Sequence, residues 1–321
     1  MNSSKQNHVL GFFLSLTAAA MWGMLPVALK ELLAGMDATS IVWYRFVVAA
    51  FVLLCWLGFK HKLPNVLKVS WRIRWYLIIA ALGLSANYYL FNYSLNYING
   101  ETTEAVIQLT TLFLILGGVL IYKEPFIGIQ KLGTALIIAG LALFFNERLL
   151  VMTSLENLET IGVLLVLVSA VTWTVYALLQ KELLQTFSSV QILFLIYLFS
   201  FLVLLPFTTP LIVLELSSFQ WALLAFCCLN TLVAYGCFAE ALNLWDASRV
   251  SAVLALAPLF TISSLKLTVY FYPQYEFSDR LTLLSIIGAL LLVMGSVLTA
   301  LMPAIYQRSR EQAASSRVTA N

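Results

Sequence analysis

Apolar residues run along this chain in long unbroken stretches, and polar residues gather in the short gaps between them. Ten stretches stand out, at approximately 11–30, 40–59, 75–97, 103–122, 130–146, 161–180, 189–209, 219–240, 248–271 and 281–303. A helix needs about 20 mostly apolar residues to cross the hydrocarbon of a bilayer. Membrane barrels are built instead from short strands that alternate apolar and polar positions. The run Ile161–Val171 has no such alternation and reads as helix. The pattern predicts an all-α integral membrane protein with ten transmembrane helices.

A polar, partly acidic stretch holding Asn146, Glu147, Arg148, Glu156, Asn157 and Glu159 divides these ten into two sets of five. The expected layout is a tail over 1–10, a five-helix unit over 11–148, a connector over 149–160, a second five-helix unit over 161–303 and a tail over 304–321. The two units repeat one another. Trp22, Lys30, Glu31 and Leu32 return 151 positions later as Trp173, Lys181, Glu182 and Leu183. Leu95, Asn96, Leu112 and Phe113 return after 147 positions as Leu242, Asn243, Leu259 and Phe260. Gly133 and Gly140 return after 155 as Gly288 and Gly295. Five is odd, so the second unit enters the membrane upside down relative to the first, and the repeat is inverted. Secondary transporters are often built this way, with substrate held between halves that can close one face and then the other.

Composition agrees with a membrane location: 61% of the 321 residues are hydrophobic and 10% are charged, against roughly 25% charged in soluble domains. The formal charge of +3 matters less than its placement. With a cytoplasmic N-terminus, thirteen of the 18 lysines and arginines fall on the cytoplasmic side, including Lys60, Lys62, Lys68, Arg72 and Arg74. Cytoplasmic loops favour cations, so both termini are expected there. The basic 60–74 stretch is read as a topology signal, not as a nucleic-acid contact. The first span ends in Lys-Glu-Leu-Leu without a small-residue cleavage pattern, which marks an uncleaved helix, not a signal peptide. The segment from Gln307 onward is polar and aperiodic and reads as disordered. All four cysteines lie in apolar runs without a Cys-x-x-Cys pair, and the two histidines, His8 and His61, lie outside the membrane core. No metal, cofactor, disulfide or histidine chemistry is indicated.

Polar side chains gain little from lipid, so those within spans are expected to face the bundle interior or a wet path. Several fall in stripes. Ser85, Tyr89, Asn92 and Asn96 follow helical spacing in the third span, with Asn87 and Tyr88 beside them; Glu104, Gln108 and Thr111 do so in the fourth. The eighth span offers Asn230, Thr231 and Tyr235, and Tyr235 is the repeat partner of Tyr88. Each of these groups has two readings: glue between helices, at about 0.6 kcal/mol per bond, or lining of a cavity. Trp22 and Trp173 stand on opposite halves and suit facing walls, or tight packing against the alanines around them. Pro26 and Pro258 interrupt the first and ninth runs and are expected to kink them. The candidate lining residues are Trp22, Tyr88, Asn92, Gln108, Trp173, Tyr176, Asn230 and Tyr235.

Charges inside spans cost the most. Arg45 and Glu104 sit at similar depth near the outer ends of their spans, so they are expected to pair as a charged outer gate. Lys266 occupies the outer third of the ninth span. Arg45 or Lys266 could attract an anionic group such as a substrate carboxylate, and Lys266 could equally snorkel to the headgroups. Glu240 and Arg249, near the inner face, are read as snorkelling residues.

Trp22–Lys30 (WGMLPVALK) resembles the first-helix signature of EamA-type transporters of the drug/metabolite transporter superfamily. Further matches stand at Arg45–Phe46, at Asn96–Tyr97 leading into Ala105, at Pro258–Phe260, and at Tyr122–Glu124 with Gly133 and Gly140. The resemblance covers residues 11 to 303. It departs from the family pattern at Thr111, at Thr174 and in the segment Tyr270–Asp279, which lengthens the second half. The resemblance implies export or exchange of small metabolites, amino acids or their analogues, across a bacterial inner membrane. No Gly-x-x-x-x-Gly-Lys phosphate loop is present, so a gradient is expected to drive transport. The competing classes are a channel, a ligand sensor that moves nothing, and an intramembrane enzyme. The sensor lacks an output domain, and the enzyme lacks a convergent acid–base pair.

Overall fold

The computed structural model describes residues 8–121, 123, 126–146, 157–244, 250, 253–279 and 281–299, except the side chains at 239, 242 and 243. Every regular element among them is helical. The longer helices are α1 (His8–Leu32), α2 (Ala38–Phe59), α3 (Trp71–Ser94), α4 (Gly100–Ile107), α5 (Leu109–Ile121), α6 (Gly128–Phe144), α7 (Leu158–Leu183), α8 (Ser189–Leu204), α9 (Ser218–Leu244), α10 (Ala257–Phe271) and α11 (Leu283–Thr299). Six stretches are long and apolar enough to cross a bilayer: four single helices, α8 with the 3-10 turn that extends it to Phe207, and the joined α4–α5 rod, with α6 and α11 apolar but shorter. The connector over 149–156, the C-terminal tail, and Tyr122, Glu124 and Arg249 lie outside the described residues, as does the side chain of Asn243.

Short polar residues start the helices by satisfying the free amides of the first turn. Asp37 Oδ1 accepts from the Ser40 amide at 2.9 Å. Ser188 opens α8 with a reciprocal pair to Gln191, and Ser217 does the same at α9 with Gln220. Ser70 caps α3. Asp37 and Ser188 stand 151 positions apart, and Ser70 and Ser217 stand 147 apart, which are the two shifts read from the sequence. Pro26 lies within an unbroken α1. Pro258 does not kink a helix, contrary to the sequence reading: it sits in the first turn of α10, where its missing amide costs nothing. In the first half the break falls at Gln108, three residues before Thr111, the counterpart of Pro258, and separates α4 from α5.

Large apolar side chains cover the outside, including Phe51, Phe59, Leu120, Leu267 and Leu283. A soluble monomer rarely exposes contiguous apolar surface beyond a few hundred Å²; here the exposed apolar side chains belong in lipid. Trp56, Trp71 and Trp75 are exposed near helix ends, where indoles favour the headgroup layer. Polar groups turn inward. Asn87 on α3 donates to the Ser169 carbonyl and hydroxyl on α7, and Ser169 Oγ donates back to the Asn87 carbonyl. Ser85 donates to Ser200 of α8 at 2.6 Å. For Ser85 and Asn87 the interhelical-glue reading holds.

The main pairings are α3 with α7 and α1 with α9, then α2 with α8, α1 with α10, α5 with α7, α3 with α8, α2 with α9, and α4 with α10. α6 and α11 meet backbone to backbone at four glycines. A Cβ on Gly140 would stand 2.7 Å from the Gly288 carbonyl oxygen, and one on Gly295 would stand 2.6 Å from that of Gly133. Side chains at these positions would force the helices apart. Gly140→Leu is therefore expected to destabilise the folded protein by about 1–3 kcal/mol through overpacking, read as a lower thermal midpoint in detergent. A midpoint equal to that of the parent would show that the close approach is dispensable.

Candidate functional site

A cluster of aromatic rings from both halves fills the middle of the bundle. Tyr88 of α3 lies 4.8 Å from Phe46 of α2 and 6.2 Å from Tyr235 of α9. Tyr235 meets Trp22 of α1 edge-on at 5.2 Å, and Phe46 stacks on Tyr197 of α8 at 5.4 Å. Tyr176 of α7 is fully enclosed in the same core, with Trp173 packed against it. Arg45 reaches into this cluster. Its guanidinium lies 4.5 Å from the Tyr88 ring centre, and its Nε donates to Thr231 Oγ1 at 2.9 Å. A cation over an aromatic face gains about 2 kcal/mol when water is excluded, and Arg45 is only 3% exposed.

A cavity of ≈ 360 Å³ opens from this cluster to one end of the bundle. Tyr197, Thr231 and Tyr235 form its floor, Tyr176 and Gln180 one wall, and the α7–α8 turn with Glu240 its mouth. The 60–70 segment lies at the same end, since Gln191 at the start of α8 donates to the Lys62 carbonyl at 2.8 Å. Tyr197 is eight residues into α8, which puts the floor roughly 12 Å below that surface at 1.5 Å per residue. The volume is within the usual range for small-molecule sites.

The opposite end is closed by the loop between α10 and α11. Asp279 accepts from Asn99 Nδ2 at 3.2 Å and from Thr102 Oγ1 at 2.6 Å. Ser278 donates to Glu101 Oε1 at 2.6 Å, and Lys266 Nζ donates to Ser278 Oγ at 2.8 Å while lying 3.7 Å from Glu101. Lys30 donates to the Leu95 and Ile98 carbonyls and sits 5.0 Å from the Phe277 ring centre. Burial, with the nearby Glu31 carboxylate, pushes the Tyr275 hydroxyl above the ordinary phenol range. This loop is the segment that lengthens the second half, and it joins the ends of α1, α4 and α10 and the α3–α4 turn.

Of the candidate residues, Trp22, Tyr88, Trp173, Tyr176 and Tyr235 share one cluster with Arg45. Asn92 is fully buried with both polar side-chain atoms unpartnered; Asn230 donates to the Met21 carbonyl, tying α9 to α1. Gln108 lies at the α4–α5 break, 3.5 Å from Ser296 of α11. The Arg45–Glu104 pair does not form: Arg45 is engaged by Thr231 and Tyr88, and Glu104 is buried with no ion-pair partner among the described residues. Lys266 pairs with Glu101 instead of serving only the headgroups. Glu101, Asp279, Phe46, Tyr197 and Thr231 escaped the candidate set. Tyr197 shares a very apolar run with one other hydroxyl, Ser200, and Asp279 falls in the lengthened segment already marked, so both had a signal.

The sequence profile of the EamA-like transporter family matches residues 9–146 and 160–301. An uncharacterized transporter of Haemophilus influenzae is 41% identical over 92% of this chain and 96% of its own length. The uncharacterized inner membrane transporter YhbE of Escherichia coli is 37% identical over 92% of this chain and 93% of that protein. A probable amino-acid metabolite efflux pump of Escherichia coli is 22% identical, covering 88% and 92%. One solved protein structure superposes with a TM-score of 0.62 at 16% identity, over 91% of this chain and 98% of its own, which shows a shared fold. With two profile matches spanning nearly its whole length, this α-helical membrane protein belongs to the EamA-like transporter family.

Proposed function

We propose that this chain is a secondary transporter that exports or exchanges small metabolites, foremost amino acids and their analogues, across the bacterial inner membrane by alternating access. The observation that carries the reading is the contrast between the two ends. One end opens into a cavity floored by aromatic rings, and the other is held shut by a charged, hydrogen-bonded loop.

The helix pairings support an inverted repeat. Counting the α4–α5 rod once gives ten spans. Exchanging the first five with the last five converts α3–α7 into α1–α9, α1–α10 into α5–α7, and α3–α8 into α2–α9, while α2–α8 and α4–α10 map onto themselves. Repeated caps at the two sequence shifts support the same relation. Halves so related have a second arrangement in which the closed and open ends change places. The basic 60–74 segment supports a cytoplasmic open end under the positive-inside rule, so the latched end would be periplasmic. The relatives' printed names favour transport over enzymatic work, and one of them favours amino-acid metabolites.

The test is counterflow in proteoliposomes loaded with an unlabelled amino-acid and metabolite pool. A carrier gives saturable uptake of label that depends on the internal pool; linear, pool-independent uptake would make the chain a channel. The latch has its own expectation. Asp279→Ala removes two hydrogen bonds to a carboxylate, so deuterium uptake around 95–99 and 272–279 should rise about tenfold or more. Unchanged uptake would free the loop of any sealing role. Glu104 is the remaining buried acid without an ion-pair partner among the described residues and the candidate for proton coupling. Glu104→Gln is then expected to abolish the response of uptake to an imposed pH gradient, and a retained response removes Glu104 from coupling.

A further inference from the structure

The central cluster contains a positive charge without a negative one. Arg45 is almost wholly enclosed, and among the described residues no carboxylate lies within ion-pair distance of it. Only its Nε has a hydrogen-bond partner among them, Thr231. A guanidinium held away from water is strongly disfavoured unless something neutralises it. The rings around it carry hydroxyl donors of their own: the Tyr88 and Tyr197 hydroxyls are buried beside one another, with weak contacts only to each other, Tyr235 and Thr231. Thr231 and Tyr197 also line the cavity floor, so this group of donors lies directly beneath the open space. Above it the walls are mostly apolar and aromatic, and the acidic side chain lining the cavity is Glu240, at the mouth.

Resting on the transport reading, we propose that the cavity takes a small organic carboxylate with a flat apolar body, bound head first toward Arg45. The carboxylate supplies the missing charge and accepts from the guanidinium and the tyrosine hydroxyls, a charge-assisted set stronger than neutral bonds. The apolar body lies against Tyr235 and Phe238, which line the cavity and are backed by Trp22, and whose rings suit planar groups. A neutral amide of the same shape leaves the arginine uncompensated. An ammonium adds a second cation to the first. The site therefore excludes neutral and cationic amphiphiles by electrostatics instead of size.

The test compares 3-phenylpropionate, its primary amide and 2-phenylethylammonium, first as stabilisers of the detergent-solubilised protein and then as competitors in counterflow. The acid is expected to raise the thermal midpoint, and the amide and ammonium to leave it in place. The acid should also compete about tenfold or more better than either. Arg45→Gln should lose this preference and Arg45→Lys should keep it in part. The comparison of the three compounds on the unaltered protein stands even if neither variant folds. Amide or ammonium acting as well as the acid overturns the proposal, even with saturable counterflow intact. Acid-selective stabilisation without counterflow of any labelled compound upholds the anion site and ends the transport reading instead.

Discussion

A polar group in hydrocarbon has no water to turn to, and the arrangement of this protein follows from that restriction. Backbone amides and carbonyls are satisfied within helices. Side chains that bond across helices point inward, where Asn87 finds Ser169, Ser85 finds Ser200 and Thr261 reaches the Gly23 carbonyl. Residues with nothing polar to offer face outward. The inside of the bundle is thus the one region where charge and hydroxyl can be concentrated, and they are concentrated at the centre and at one end.

The two concentrations differ in kind. At the closed end, acids meet bases or donors: Lys266 with Glu101, and Asp279 with Asn99 of the α3–α4 turn and Thr102 of α4. Such a set could separate and re-form in the proposed transport cycle, because each member would have water as an alternative partner once that end opened. At the centre the charge is unmatched and enclosed by rings that tie five helices together. In the alternating access proposed above, movement that opens one end and closes the other would have to pass through this aromatic core, since α2, α3, α7, α8 and α9 all contribute to it.

Much of this was legible in the residues themselves. Apolar runs gave the helices, and the recurrence of Trp22 and Tyr88 as Trp173 and Tyr235 marked the side chains that meet at the centre. Less legible was which polar groups face each other. Arg45 and Glu104 share a depth but not a direction, and depth alone cannot tell a partner on α4 from Thr231 on α9. Pro258 was misjudged for a related reason: an apolar run continues across it although the helix starts there. The closing loop was visible only as extra length, because Ser278 and Asp279 look like ordinary loop residues until the fold lays them against α4.

The latch belongs to one half only. A strictly symmetric inverted repeat would present two orientations of equal energy, and a loop that ties down one end removes that equality. In a carrier so built, the unloaded protein rests mostly with its cavity toward the end opposite the loop. Such a bias cannot set the net direction of an uncoupled flux, which depends on the gradient alone. It can make the two faces kinetically unlike: substrate arriving from the open side meets a waiting site, whereas substrate from the other side must wait for the loop to release.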